Sequence, residues 1–261
     1  MPFTAGTGGK TRAVNLFRFV RNTGNTNEKS VHKGELKMEQ FTFGAAPEIV
    51  NPSEPHMALL FLVDTSYSME GKPINELNRA LNRFKGQVCK DEKTKDILDI
   101  AIIEFNSEWK VVQDWIPIEY MKPVHFVPDG GTEMAEALDK AIEMVNERSR
   151  FYRRSGTEPY KPWIVLISDG VPSDPVDQLA KKINAMVEKQ KLAFWSLAVP
   201  GADTEALHML SGKRVLNLAD YDFAGFFDWV NKSMRAVSVS SPGEKPKGQE
   251  LPSTVTIDDL M

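Results

Sequence analysis

Among its 261 residues the chain has a single cysteine, Cys89. One thiol closes no disulfide within the chain and builds no thiolate zinc site, so the ordinary expectation for Cys89 is a small buried side chain. Long apolar runs are missing as well: nothing approaches the roughly 20 consecutive apolar residues that span a bilayer. The opening stretch MPFTAGTGGKTRAVNLF lacks the apolar centre of a secretory signal. Together these absences predict a cytoplasmic protein with no membrane partner. Histidine is scarce too. None of His32, His56, His125 and His208 stands in a context that marks a catalytic base, and no GxSxG elbow is present, which argues against a serine hydrolase.

What is there is ordinary for a soluble globular protein, with 41% hydrophobic and 26% charged residues. The net charge of −4 is unevenly spread. Through residue 37, seven basic residues (Lys10, Arg12, Arg18, Arg21, Lys29, Lys33, Lys37) face two acids (Glu28, Glu35), a surplus of five that leaves −9 for the rest. Residues 1–54 therefore read as a basic extension with one short apolar patch, Val14 to Val20. Without aromatic residues interleaved among the charges it reads as a solvated arm, not a nucleic-acid surface. The string Gly6 to Thr11 (GTGGKT) falls short of a phosphate-binding loop, because Thr4 stands where the first glycine belongs and no strand precedes it.

From residue 55 to 237, apolar runs alternate with amphipathic segments in the manner of βαβ units. Ala58–Val63, Leu98–Phe105, Trp163–Ile167, Leu192–Val199 and Arg214–Leu218 predict strands, and Trp109–Val112 predicts an antiparallel edge strand in a hairpin with the second run. Helices are expected from the spacing of Ile74, Leu77, Leu81, Phe84 and Val88, of Met134, Leu138, Ala141 and Val145, and of Val176, Leu179, Ile183 and Val187. Asp203–Leu210 and Asp222–Val237 complete the set, with Ser173 as a capping residue for the helix near 176. The fold class is a Rossmann-like, doubly wound, mostly parallel sheet with helices on both faces. Residues 238–261, rich in Ser, Pro, Gly and Lys, read as a disordered tail. Its acidic and hydrophobic end is a possible docking peptide.

Two carboxylates, Asp64 and Asp169, follow directly on apolar strands, where ligands of open α/β sheets gather. Ser66 and Ser68 lie two and four positions beyond Asp64, and Gly130-Gly131 permits a backbone path that carries Thr132 toward them. Five oxygen donors without His or Cys suit a hard cation. Few protein ligands fit Mg²⁺ best, with Mn²⁺ or Ca²⁺ tolerated. Neutral hydroxyls leave the ion much of its charge, so it would attract an Asp or Glu from another molecule.

DxSxS at Asp64–Ser68, GGT at Gly130–Thr132 and ISDG at Ile167–Gly170 resemble the metal-ion-dependent adhesion site of von Willebrand factor A domains. Among these, the chain is most similar to bacterial intracellular members of the tellurium-resistance-associated type. The resemblance implies a six-stranded domain over 55–237 in which Ser66, Ser68 and Thr132 ligate the metal and Asp64 and Asp169 act directly or through water. It also implies a partner carboxylate in the remaining position, and a place in a stress-response or defence complex. Tyr67 stands where the family often has glycine. Tyr67, Met69, Glu70, Glu133 and Pro172 are the expected partner-binding rim. The alternative is a Mg²⁺-dependent phosphoryl-transfer enzyme with Asp64 as nucleophile. That chemistry wants a general acid two positions on, where this chain has Ser66, so the expectation is a non-enzymatic module.

Overall fold

The computed structural model describes Ile49, residues 51–212 and residues 214–259. The expectations for the basic arm, its apolar patch and the GTGGKT string fall outside these residues. Strand β1 (Met57–Asp64) is buried along its whole length, which is why its sequence, MALLFLVD, is continuously apolar. Alternate side chains serve different cores. Met57, Leu59, Phe61 and Val63 join one cluster with Ile74, Leu77, Leu81 and Phe84 of α1 (Lys72–Val88) and Phe223, Phe226 and Val230 of α6 (Phe223–Ser238). Leu60 and Leu62 join the other, with Leu138, Ala141 and Val145 of α3 (Ala135–Arg154), Ile183 of α4 (Asp177–Glu188) and Leu207 and Leu210 of α5 (Glu205–Ser211). The sheet thus has helices on both faces.

β2 (Leu98–Phe105), β3 (Trp109–Pro117), β4 (Trp163–Ser168), β5 (Ala193–Ala198), β6 (Arg214–Leu218) and β7 (Val255–Asp259) complete a seven-stranded sheet ordered β3-β2-β1-β4-β5-β6-β7. The five central strands are parallel, and β3 and β7 are antiparallel edges. β1 has β2 on one side and β4 on the other, so strand order reverses there, and Asp64 and Asp169 sit at the carboxyl ends of those neighbouring strands.

Three expectations need correction. The sheet has seven strands, not six, because part of the segment read as a disordered tail is ordered. β7 pairs with β6, buries Val255, and is anchored where the Thr254 hydroxyl donates to Asp222 at 2.7 Å and the Ala219 N–H to the Thr254 carbonyl at 2.8 Å. A short helix, α2 (Glu92–Ile97), capped by Asp91 accepting from the Thr94 N–H, had no periodicity long enough to announce it. Ser173 does not cap α4, whose first helical residue is Asp177.

At the opposite end of the strands from Asp64, Asp99 lies beside Ala58 and is fully buried. Arg148 donates to it from Nε at 3.2 Å and from a terminal nitrogen at 2.6 Å, and the Tyr152 hydroxyl donates to the same oxygen. Burial pushes this carboxyl up, but hydrogen bonding by His56 and Tyr152 and the Arg148 charge outweigh it and hold Asp99 below the usual carboxylate range. Among the described residues, no helix is long and apolar enough to cross a membrane.

Candidate metal centre at the strand ends

Asp64 ends β1 with no exposed surface. Its Oδ1 accepts the Ser66 N–H at 2.9 Å and its Oδ2 the Ser168 hydroxyl at 2.6 Å, while Ser168 Oγ accepts the Gly170 N–H at 3.0 Å. Burial pushes the Asp64 carboxyl up to about 6; hydrogen bonds from Ser168 and Ser66 pull against that rise, and the nearby Asp169 charge adds to it. The two carboxylates are thus close enough for their charges to interact, and among the described residues no Lys, Arg or His is paired with Asp64.

Beyond Asp64 the chain does not stay extended, as an alternating pattern would require. Tyr67–Met69 forms a single 3₁₀ turn. The turn still brings Ser66 Oγ and Ser68 Oγ to 2.9 Å of each other, one buried and one exposed. Two oxygens occupying adjacent corners of a Mg²⁺ octahedron, each about 2.1 Å from the ion, are themselves about 3 Å apart. The two serine hydroxyls are hydrogen-bonded to each other, at a separation that is also that of such an edge.

The glycine-led loop is tied to the same strand end. The Asp129 N–H donates to the Thr65 carbonyl at 2.8 Å and the Tyr67 N–H to the Gly130 carbonyl at 3.2 Å. Gly130 has φ +66°, and a Cβ there would stand 2.5 Å from the Ser107 hydroxyl, so another residue would be strained and would have to displace Ser107. Thr132, nearly buried, lies three residues before α3 and does not cap it. The cap comes from the neighbouring loop: Asp174 accepts from the Met134 and Ala135 N–H groups, both at 2.8 Å. The Ser173 N–H also donates to the Thr132 carbonyl at 2.8 Å.

Asp169, half-buried, follows Ser168 into a turn in which its carbonyl accepts the Asp203 N–H at 2.9 Å. Gly170 has φ +98°, and a Cβ would fall 1.8 Å from the Asp203 carbonyl oxygen, so the third motif needs its glycine for backbone clearance. Among the described residues, no group of three or more His, Cys, Asp or Glu is arranged to hold a metal. The strand ends hold instead two carboxylates and the Ser66 and Ser68 hydroxyls, with Thr132 on the loop tied to them, and such hard oxygen donors suit a small divalent cation.

The expected rim divides. Tyr67 is 62% exposed, with its phenol bonded to Asp129 and held above its usual value by that hydrogen bond and charge. Glu70 and Glu133 are exposed and Pro172 is half-buried. Met69 is a correction: its side chain is fully buried in the core cluster that includes α1, turned inward by the 3₁₀ turn. Sequence reasoning passed over Ser168, the residue that holds Asp64, and Asp174, which joins two loops. Ser168 stands inside the third motif and Asp174 four residues beyond it, but the role of each depends on a partner more than 30 positions away.

No curated protein matches the chain. Solved structures of similar fold include the pilus adhesin SpaC from Lactobacillus rhamnosus GG, with 13% identity over 69% of this chain and 30% of that one and a TM-score of 0.54. A von Willebrand factor type A protein from Catenulispora acidiphila shares 14% identity over 70% of this chain and 43% of that one, with a TM-score of 0.55. The vWF domain of the type V pili tip protein Mfa5 from Porphyromonas gingivalis is matched over 72% of this chain and 97% of that domain, with 10% identity and a TM-score of 0.52. At these identities the likeness is one of fold, and in the first two it spans less than half of the other chain. A sequence profile of the von Willebrand factor type A domain, a family of adhesion and protein-interaction modules, runs over residues 58–228 from β1 into α6, and the chain belongs to that family.

Proposed function

We propose that the chain is a Mg²⁺-dependent protein-binding module that captures an Asp or Glu of a partner through the strand-end centre. The observation that carries this reading is Asp64: a fully buried carboxylate with no cationic partner among the described residues, two positions before a serine whose hydroxyl is 2.9 Å from that of Ser68. Ser66, Ser68 and Thr132 would hold the ion, with Asp64 and Asp169 balancing its charge directly or through water. The ion's contribution is Lewis-acid attraction for a carboxylate supplied from outside. Ser168 and the Ser66 N–H keep Asp64 in place, and Gly130 and Gly170 allow the loops to close on it. The motifs' likeness to tellurium-resistance-associated members supports a role within a bacterial stress or defence complex in the cytoplasm.

The phosphoryl-transfer alternative requires Asp64 to reach a substrate. Its lack of exposed surface and the engagement of both its oxygens argue against a nucleophile. The test is calorimetric titration of metal-free protein with Mg²⁺ and Mn²⁺, followed by partner capture with and without EDTA. Saturable metal binding lost in Thr132→Ala and Asp64→Asn, together with EDTA-sensitive capture, is expected. Capture that survives both chelation and substitution would sink the reading.

A further inference from the structure

The surface around the centre has a composition that the metal alone does not require. Four loops and the β2–β3 turn meet there: the turn after β1, the loop before α3 and the loops after β4 and β5 are joined by the hydrogen bonds from Tyr67 to Gly130, Ser173 to Thr132 and Asp203 to Asp169, and the β2–β3 turn by those from Gly131 to the Ser107 hydroxyl and Glu133 to Asn106. The stretches 64 to 71, 126 to 139, 168 to 180 and 199 to 212 contain no Lys or Arg, and the nearest in sequence, Lys72, Lys122, Lys140, Lys181 and Lys213, lie outside them. Glu70, Asp129, Glu133 and Asp203 are exposed on them. A divalent cation neutralises at most the charge of Asp64 and Asp169, so these stretches stay negative when it is bound.

Apolar side chains concentrate on the same loops. Of the eight large hydrophobic residues exposed among the described residues, three are Tyr67, Val127 and Val171, at 62%, 64% and 58%. One lies on each of the first three loops. Val127 and Val171 each stand two residues from an aspartate, Asp129 and Asp169, that the fold holds at this end of the sheet. Single exposed apolar residues are common on protein surfaces, but clustering around a polar centre marks a contact surface.

We propose that this rim recognises one carboxylate set in a basic and apolar surface of a second protein: an Asp or Glu with apolar neighbours and a Lys or Arg close on either side. The proposal rests on the metal-bridged reading above and adds the identity of the partner surface. The central carboxylate goes to the ion, the apolar neighbours cover Tyr67, Val127 and Val171, and the flanking cations face Glu70, Asp129, Glu133 and Asp203. A polyacidic segment meets four acids, none of them in an ion pair among the described residues, and is rejected, so the surface carries both the attraction and the discrimination.

The probes are three end-blocked peptides immobilised at high density, Lys-Leu-Glu-Leu-Lys, Asp-Leu-Glu-Leu-Asp and Lys-Leu-Gln-Leu-Lys, with the full chain in Mg²⁺ as analyte. The first is expected to bind about tenfold tighter than the second at low salt, with the gap closing in about 0.5 M NaCl. Glu133→Lys with Asp203→Lys should abolish or invert that preference, and Val171→Ser should weaken both glutamate peptides. Equal binding of the first two, a preference for the aspartate-flanked one, or no binding of either overturns the proposal. The glutamine peptide tests the underlying reading separately. If it binds as well as the first, the metal bridge fails, while the charge preference is still judged from the other pair.

Discussion

The sheet buries one carboxylate at each end, and the two are treated in opposite ways. Asp99, at the amino end of β2, is surrounded by Arg148, Tyr152 and His56 and is held below the usual carboxylate range. Asp64, at the carboxyl end of β1, receives only two hydroxyls' worth of company and an amide, and burial carries it up to about 6. Among the described residues, the fold supplies a counter-charge for the first and none for the second. A buried charge left uncompensated is costly, and such a cost is kept where an outside cation completes the site.

The largest effect should come from attacking the completed end. Arg148→Met leaves Asp99 buried without its cation and is expected to cost about 3–5 kcal/mol in chemical denaturation, while the Mg²⁺ affinity of the folded fraction is unchanged. At the other end the sign reverses. Asp64→Asn removes an unbalanced buried charge and should stabilise the metal-free protein at pH 8 by about 1–2 kcal/mol, within the ~3 kcal/mol implied by a rise from 3.8 to about 6. The same variant should lose any increase in melting temperature on adding Mg²⁺. If it destabilises the metal-free protein and keeps the Mg²⁺ response, the contrast between the two ends is wrong.

The pH dependence follows from the same shift. Because the folded value of Asp64 lies above the unfolded one, its contribution to stability is fully present below pH 3.8 and is lost as pH rises through about 6. Metal binding needs the ionised form, so Mg²⁺ affinity should rise with pH, by about tenfold per unit below 6, and level off above it. Titrations at several pH values check both. The smallest effect is Ser168→Ala, which removes the hydroxyl donated to Asp64 at 2.6 Å and should cost about 1 kcal/mol while moving the inflection of the affinity curve to higher pH.

The contrast also separates what was legible in the sequence from what was not. Strands β1, β2 and β4 are buried on both faces, so their apolar runs were unambiguous, and two of the three motifs stand at the ends of β1 and β4. β7 was hidden because a five-residue strand turns few side chains inward, and its order comes from the edge of β6, not from its own pattern. Met69 was misjudged because proximity in sequence to Ser68 says nothing about which way a 3₁₀ turn faces. Asp99 went unremarked since an acid inside an apolar run only makes sense once Arg148 and Tyr152 are seen to reach it from α3, about 50 residues later.

The carboxylate of Asp174 spans from one loop to the first amides of α3, and beside it the Ser173 N–H holds the Thr132 carbonyl. The segments carrying Thr132 and Asp169 are thereby fastened as a single piece before any cation arrives. Loading such a preassembled seat requires little loop ordering, so its speed should be governed by how fast the ion sheds water. Mn²⁺, which exchanges water faster than Mg²⁺, should load faster on this frame, whereas freeing the joint with Asp174→Ala should slow both ions toward a common rate set by the protein.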